Sequence, residues 1–189
     1  MDVSTHLNAE LTQAQAAAIL ELIQREWPQP DWDREAAVQG LLHPGEADDD
    51  ASRYRREARR YVIWDGDRAL AQAETFARTI RWESGVEKTV LALAGVVTDP
   101  NERGRGYGAA VVRAAFGRVD AGEFPAALFQ TNHPGFYEKL GCRKVANRFA
   151  DHRDRGGSNT SPWWNDFVLV YPADADWPHG PIDLNGPAY

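Results

Sequence analysis

Six adjacent residues combine charge with backbone freedom: Arg103-Gly104-Arg105-Gly106-Tyr107-Gly108. Glycine has no Cβ, so successive backbone N–H groups can crowd round an anion without side-chain interference. The following residues, 109–119, place Val111, Val112, Ala115, Phe116 and Val119 on one helical face. A helix there adds unpaired N-terminal N–H groups and the positive end of its dipole. Arg103 and Arg105 supply mobile counter-charge. Together these features make a pyrophosphate cradle; the plain alternative is a surface turn. A P-loop ends in Gly-Lys-Ser/Thr, whereas Gly108-Ala109-Ala110 stands here and offers no hydroxyl for Mg²⁺. A dinucleotide fingerprint counted from Gly104 puts Ala109 where the third glycine belongs, and the hairpins upstream disfavour a doubly wound sheet.

The elements that must position this segment read as follows. Residues 12–27 form a helix capped by Thr12, with Ala16, Ile19, Leu20 and Ile23 on its apolar face, and Trp27-Pro28 ends it. Residues 34–42 form a second, shorter helix. Residues 43–50 are a turn-rich acidic loop. Strands at 61–64 and 69–80 flank the hairpin turn Asp65-Gly66-Asp67, and Glu83-Ser84-Gly85 turns the chain again. Residues 89–97 are an apolar strand buried on both faces, broken by Thr98-Asp99-Pro100-Asn101. Downstream come a buried strand at 126–130, a helix at 134–140 stopped by Gly141, and strands at 144–149 and 167–171. Residues 151–165 are a polar connector. The Pro/Gly-rich tail, 172–189, wraps over the surface of a single domain spanning 1–171.

Composition narrows the partners. The chain has 189 residues, 43% of them hydrophobic and 26% charged, and a net charge of −7. That suits one folded domain and argues against nucleic acid. An acidic body would suit a cationic small molecule, although a moderate negative charge more often serves solubility alone. Cys142 is the one cysteine, so no internal disulfide forms, and its setting in Leu140-Gly141-Cys142-Arg143 points to packing. The histidines, His6, His43, His133, His152 and His179, show no ligand-like pairing, so no metal is expected. No signal-peptide pattern or membrane-length apolar run is present, which leaves the cytoplasm as the expected location and no membrane partner. A second copy of the chain, as a homodimer, is the macromolecular partner left open.

A second motif gives the loop its context. Val96-Val97-Thr98-Asp99-Pro100 followed by Arg103-x-x-Gly106-x-Gly108 resembles the Gln/Arg-x-x-Gly-x-Gly/Ala motif of the GNAT N-acetyltransferase superfamily. Asn132-His133-Pro134-Gly135-Phe136-Tyr137-Glu138-Lys139-Leu140-Gly141 resembles that superfamily's second signature, with Cys142 where an aromatic usually follows. Two signatures in the right order are more specific than either alone. The resemblance covers residues 61–171. It implies an α/β (α+β) fold: a bent, mainly antiparallel central sheet flanked by helices, with an acyl-CoA cleft between two splayed parallel strands. It further implies that Val96, Val97 and Thr98 bond the pantetheine arm of acetyl-CoA. Gly104, Arg105, Gly106, Tyr107, Gly108 and Ala109 would hold the pyrophosphate with Arg103 beside them, and Asn132 would touch the CoA arm.

Acyl transfer from a thioester to an amine needs a neutral nucleophile, donors for the oxyanion and a proton for the departing thiolate. Tyr137 matches the position of the family's usual general acid, near the CoA sulfur. The Val97 N–H is the candidate to polarise the thioester carbonyl. Many members carry a glutamate on the strand before the loop, but residues 90–97 contain no carboxylate. Glu74, which interrupts Ala71-Gln72-Ala73-Glu74-Thr75-Phe76, is the first substitute base and His133 the second; a solvent-facing glutamate and a helix-start histidine are the plain alternatives. Trp32, Trp163 and Trp164, with Asp48, Asp49, Asp50 or Asp166, could wall and attract a cationic acceptor, or simply pack. The resulting expectation is transfer of an acetyl group to a primary amine of a small cationic molecule. Two rivals stand beside it. One is a non-catalytic acyl-CoA-binding or sensor module. The other is an aminoglycoside N-acetyltransferase, suggested by the tail but lacking an acid at Ala94.

Overall fold

A computed structural model describes residues 2–43, 54, 56–151 and 161–189. In chain order the elements are β1 (Ser4–Leu7), α1 (Gln13–Glu26), α2 (Arg34–Leu42), β2 (Arg59–Asp65), β3 (Arg68–Trp82), β4 (Glu87–Thr98), α3 (Tyr107–Asp120), β5 (Ala127–Thr131), α4 (Pro134–Glu138), β6 (Arg143–Val145), β7 (Phe149–Ala150), β8 (Phe167–Tyr171) and β9 (Ile182–Asp183). Short 3-10 turns occupy Asn8–Glu10 and Pro100–Glu102. The fold is mixed α/β, with a mostly antiparallel sheet and flanking helices. It divides into two compact units: Met1–Phe76 with Leu93–Ala115, and Ala77–Ala92 with Phe116–Tyr189.

In the first unit β1 pairs antiparallel with β2, and β2 with β3. Thr12 caps α1 by accepting from the Gln15 N–H, and Gln15 returns the bond to the Thr12 N–H. This reciprocal box satisfies two donors that the first turn would leave unpaired. Asp33 caps α2 by accepting from the Ala36 N–H at 3.0 Å. The core packs Leu11, Ala16, Ala17, Ile19, Leu22 and Val38 with Val62, Ala69 and Val97. Leu22, absent from the apolar face read in the sequence, is fully buried, while Leu20 and Ile23 sit at the margin. Burial of one such leucine is worth about 2 kcal/mol. β1 was not anticipated.

The second unit carries the parallel pair β4–β5, with Leu91 opposite Ala127 and Ala92 opposite Leu128. β5 then pairs antiparallel with β8, and β8 with β6. Two sequence expectations fail here. The strand expected at 144–149 is two strands, β6 and β7, because Asn147 leaves the ladder to bind the tail. Its Nδ2 donates to Pro178 O at 2.9 Å and Gly180 O at 2.8 Å, and its Oδ1 accepts from Trp177 Nε1 at 2.9 Å. The tail does not lie on the surface either. β9 pairs with β3 and β7, and Ile182, Leu184 and Trp177 are buried among Ile80, Val90, Leu128 and Phe149. The helix expected at 134–140 is the shorter α4, and Gly141 follows it at φ 88°. Cys142 is buried, as its setting suggested.

Candidate active site

In the first unit the end of β4 leads into the glycine loop through Asp99. This carboxylate is 1% exposed. Its Oδ1 accepts from the Asn101 N–H at 3.0 Å, and its Oδ2 lies 3.3 Å from Arg25 Nη1 and 3.6 Å from Arg68 Nη1. A buried carboxylate is tolerable only when neutralised in this way. Asp99 therefore fixes where β4 stops and the loop begins, a role the sequence reading saw only as a strand break.

The loop itself fits the cradle. Gly104 and Gly106 adopt φ 80° and 82°, where a side chain is strained, and a Cβ on either would meet nothing within 4 Å. Their conformation, rather than crowding in the free protein, demands glycine. The Ala110 N–H donates to Gly106 O at 3.0 Å, the first bond of α3. The N–H groups of Tyr107, Gly108 and Ala109 precede it and have no intrahelical acceptor. Arg103 and Arg105 are less free than the sequence suggests. Arg103 Nη2 is 2.5 Å from Glu26 Oε2, and Arg105 Nη1 is 3.0 Å from Glu102 Oε2. Both arginine side chains are more than half exposed, whereas Glu26 and Glu102 are 28% and 13% exposed, so the arginine ends of these pairs are the ones that can swing towards a phosphate.

Upstream on β4, Val97 is buried in the core while Val96 and Thr98 are partly exposed. The Asp99 N–H donates to Leu70 O on β3 at 2.8 Å. Strand alternation then turns the Val97 N–H towards β3 and those of Val96 and Thr98 away from it. Gly95, at φ 55°, interrupts the regular strand just before this stretch.

Glu74 lies beside that interruption. A Cβ on Gly95 would sit 4.0 Å from Glu74 Oε2. The other carboxylate oxygen is 3.2 Å from Arg60 Nη2. Arg60, buried at 5% exposure, also donates through Nε to Asn8 Oδ1 and through Nη1 to Gln72 Oε1, each at 2.9 Å. Gln72, fully buried, donates through Nε2 to Gly95 O. Sequence reasoning missed Arg60 and Gln72. The available signal was polar residues inside apolar strands, and only the β2–β3 register, which sets Arg60 opposite Glu74, joins them.

Most of the other named residues belong to the second unit. Tyr137 is buried, its ring 4.6 Å from Phe129 and edge-on to Phe136 at 4.8 Å. Burial, with a smaller contribution from Cys142, pushes its phenol well above the ordinary range, so it keeps its proton. His133 is exposed at the start of α4, its backbone N–H bonded to Thr131 Oγ1 at 3.0 Å, and its side chain caps nothing. Asn132 Oδ1 accepts from the Asp166 N–H at 3.0 Å, while Gln130 Oε1 accepts from Trp164 and Asn165 N–H at 3.0 and 2.9 Å. These amides clamp residues 164–166 to the end of β5. Trp164 is 69% exposed there, whereas Trp163 is buried against Phe149 and Tyr189. Trp32 is partly exposed in the first unit. Asp48, Asp49 and Asp50 lie outside the described residues. A 590 Å³ cleft between residues 143–148 and 175–181 contains none of the catalytic or cofactor-binding candidates read from the sequence.

The acetyltransferase (GNAT) domain family model matches residues 9–145. The chain belongs to the GNAT acetyltransferase family. Solved GNAT folds agree with this. A glucosamine-6-phosphate N-acetyltransferase from Arabidopsis thaliana aligns over 82% of this chain and 100% of its own, at 14% identity and TM-score 0.58. An acyl-CoA N-acyltransferase from Pseudomonas aeruginosa aligns over 89% and 97%, at 15% identity and TM-score 0.55. For a GCN5-related N-acetyltransferase from Kribbella flavida the values are 76% and 34%, 21% identity and TM-score 0.56, so this chain spans about a third of that protein. No curated protein matches the chain in sequence. The family is one of acyltransferases whose co-substrates are acyl-CoA thioesters. No helix among the described residues is long and apolar enough to cross a membrane.

Proposed function

We propose that this GNAT protein transfers an acetyl group from acetyl-CoA directly to a primary amine of a small, cationic acceptor. The observation that carries the reading is the open loop, with Gly104 and Gly106 at positive φ ahead of the N-terminus of α3. Val96 and Thr98 would bond the pantetheine arm through their outward backbone groups. This moves the carbonyl donor from Val97, whose N–H faces β3, to Val96. Gly104 to Ala109 would hold the pyrophosphate, and Arg103 and Arg105 would turn from Glu26 and Glu102 towards it. The amide of Asn132 keeps Nδ2 to offer the CoA arm.

Tyr137 is the proposed acid, a role that rests on its signature and on a phenol that burial keeps protonated. Glu74, beside Gly95, is the preferred group to accept the amine proton through water, with His133 the alternative. Trp164 and Asp166, clamped at the end of β5, offer an indole face and a carboxylate to a cationic acceptor. CoA release from acetyl-CoA with a panel of polyamines, amino acids, aminoglycosides and peptides tests the reading, and acceptor-dependent turnover supports it.

One observation favours a second reading, a non-catalytic acyl-CoA-binding module. Glu74 Oε1 is engaged by Arg60, and β4 itself supplies no carboxylate between Thr89 and Thr98. Saturable acetyl-CoA binding with no turnover on the whole panel would select the module.

A further inference from the structure

Arg60 and Gln72 form a buried relay that ends on one peptide of β4. Arginine has only donors, so Gln72 must turn its oxygen to Arg60 Nη1, 2.9 Å away. That leaves the Gln72 amide nitrogen for Gly95 O. The amide orientation is thus fixed by chemistry. Arg60 is held in turn by Asn8 Oδ1 and Glu74 Oε1. A lone buried guanidinium would be costly, and here every arm of it has an acceptor.

The Gly95–Val96 peptide is trans, so its C=O and N–H point in opposite directions. Gln72, on β3, pins the carbonyl towards β3. The Val96 N–H therefore points away from β3, the direction strand alternation gives independently from the Asp99–Leu70 bond. Gly95 can take φ 55° because it has no side chain; a Cβ would come within 3.0 Å of Gln72 Nε2. Relay and glycine make one device. A donor aimed in advance at developing charge costs no reorganisation when the charge forms.

We infer that Gln72, oriented by Arg60, is a positioning residue that aims the Val96 N–H at the thioester carbonyl; this rests on the acyl-CoA reading above. The test is the infrared carbonyl frequency of bound [1-13C]acetyl-CoA, with its Kd measured in parallel. Gln72→Glu keeps an acceptor for Arg60 but loses the donor to Gly95 O. Gln72→Met loses both at similar volume. Wild type should lower the carbonyl frequency on binding. Both variants should lose most of that shift while Kd stays within about threefold, since the carbonyl bond is one among many to the cofactor.

A shift retained in Gln72→Glu overturns the inference. So does wild-type binding without any shift, which would leave the acyl-CoA reading intact. Loss of binding in both variants would make Gln72 a structural support of the strand rather than a positioning residue. Absence of acetyl-CoA binding to wild type would overturn the acyl-CoA reading and this inference with it.

Discussion

Gly106→Val separates two costs that are usually entangled. In the free protein the penalty is mainly conformational, because a Cβ at Gly106 would meet nothing within 4 Å and the residue sits at φ 82°. Forcing a β-branched residue there costs about 1–3 kcal/mol. A domain with about 5–15 kcal/mol of stability stays folded. Its Tm should fall by about 2–4 °C per kcal/mol lost. In the complex the isopropyl group would stand where the phosphates meet the loop N–H groups. Displacing two hydrogen bonds to a charged group costs about 3 kcal/mol or more. That is at least about 100-fold in Kd. Calorimetric titration of CoA into wild type and variant, beside a thermal melt of each, measures both costs. A lower Tm with unchanged CoA affinity would refute the placement of the pyrophosphate.

Four further outcomes follow from three side chains. Tyr137→Phe should fold normally, since the ring contact with Phe129 needs no hydroxyl, and should lower kcat about 100-fold with CoA affinity kept. Because burial raises the Tyr137 phenol above its usual value of about 10, steady-state rates should show no fall between about pH 8 and pH 10 from loss of this acid. Burial also pushes the Cys142 thiol up to about 12, above its unfolded value of about 8.5. The native state then holds a proton that the unfolded chain releases. The associated stability is complete below about pH 8.5 and is lost as pH rises towards 12. Urea unfolding at about pH 8 and pH 10.5 should show a larger loss in wild type than in Cys142→Ala, and equal losses would refute the shift. Leu184→Ala, in the fully buried tail, should cost about 2–5 kcal/mol in the same assay. A cost below about 0.5 kcal/mol would mean the tail is a surface strap after all.

The parts of the fold legible in sequence were those whose signal is local. Thr12 announced α1 because capping is decided within one turn. Val111, Val112, Ala115, Phe116 and Val119 announced the buried face of α3 because their spacing follows the helix period. What escaped depends on distant partners. β1 is only Ser4–Leu7, too short for an alternation to stand out. The tail looked like surface because Pro and Gly dominate its composition, yet Ile182, Leu184 and Trp177 are buried by elements far upstream. Asn147 splits a strand only because Pro178 and Gly180 stand opposite it. In the candidate site, the loop and the Tyr137 signature are contiguous strings and could be read directly. Arg60, Gln72 and Glu74 become one group only when β2 and β3 are set in register, and Gly95 joins them only through β4.

The most direct test of the account is a competition titration of the wild-type chain with acetyl-CoA, CoA, ATP and NAD. The account predicts saturable acetyl-CoA binding that CoA displaces and that neither ATP nor NAD displaces at comparable concentrations. Binding of ATP or NAD in place of acetyl-CoA, or no acetyl-CoA binding at all, would contradict it.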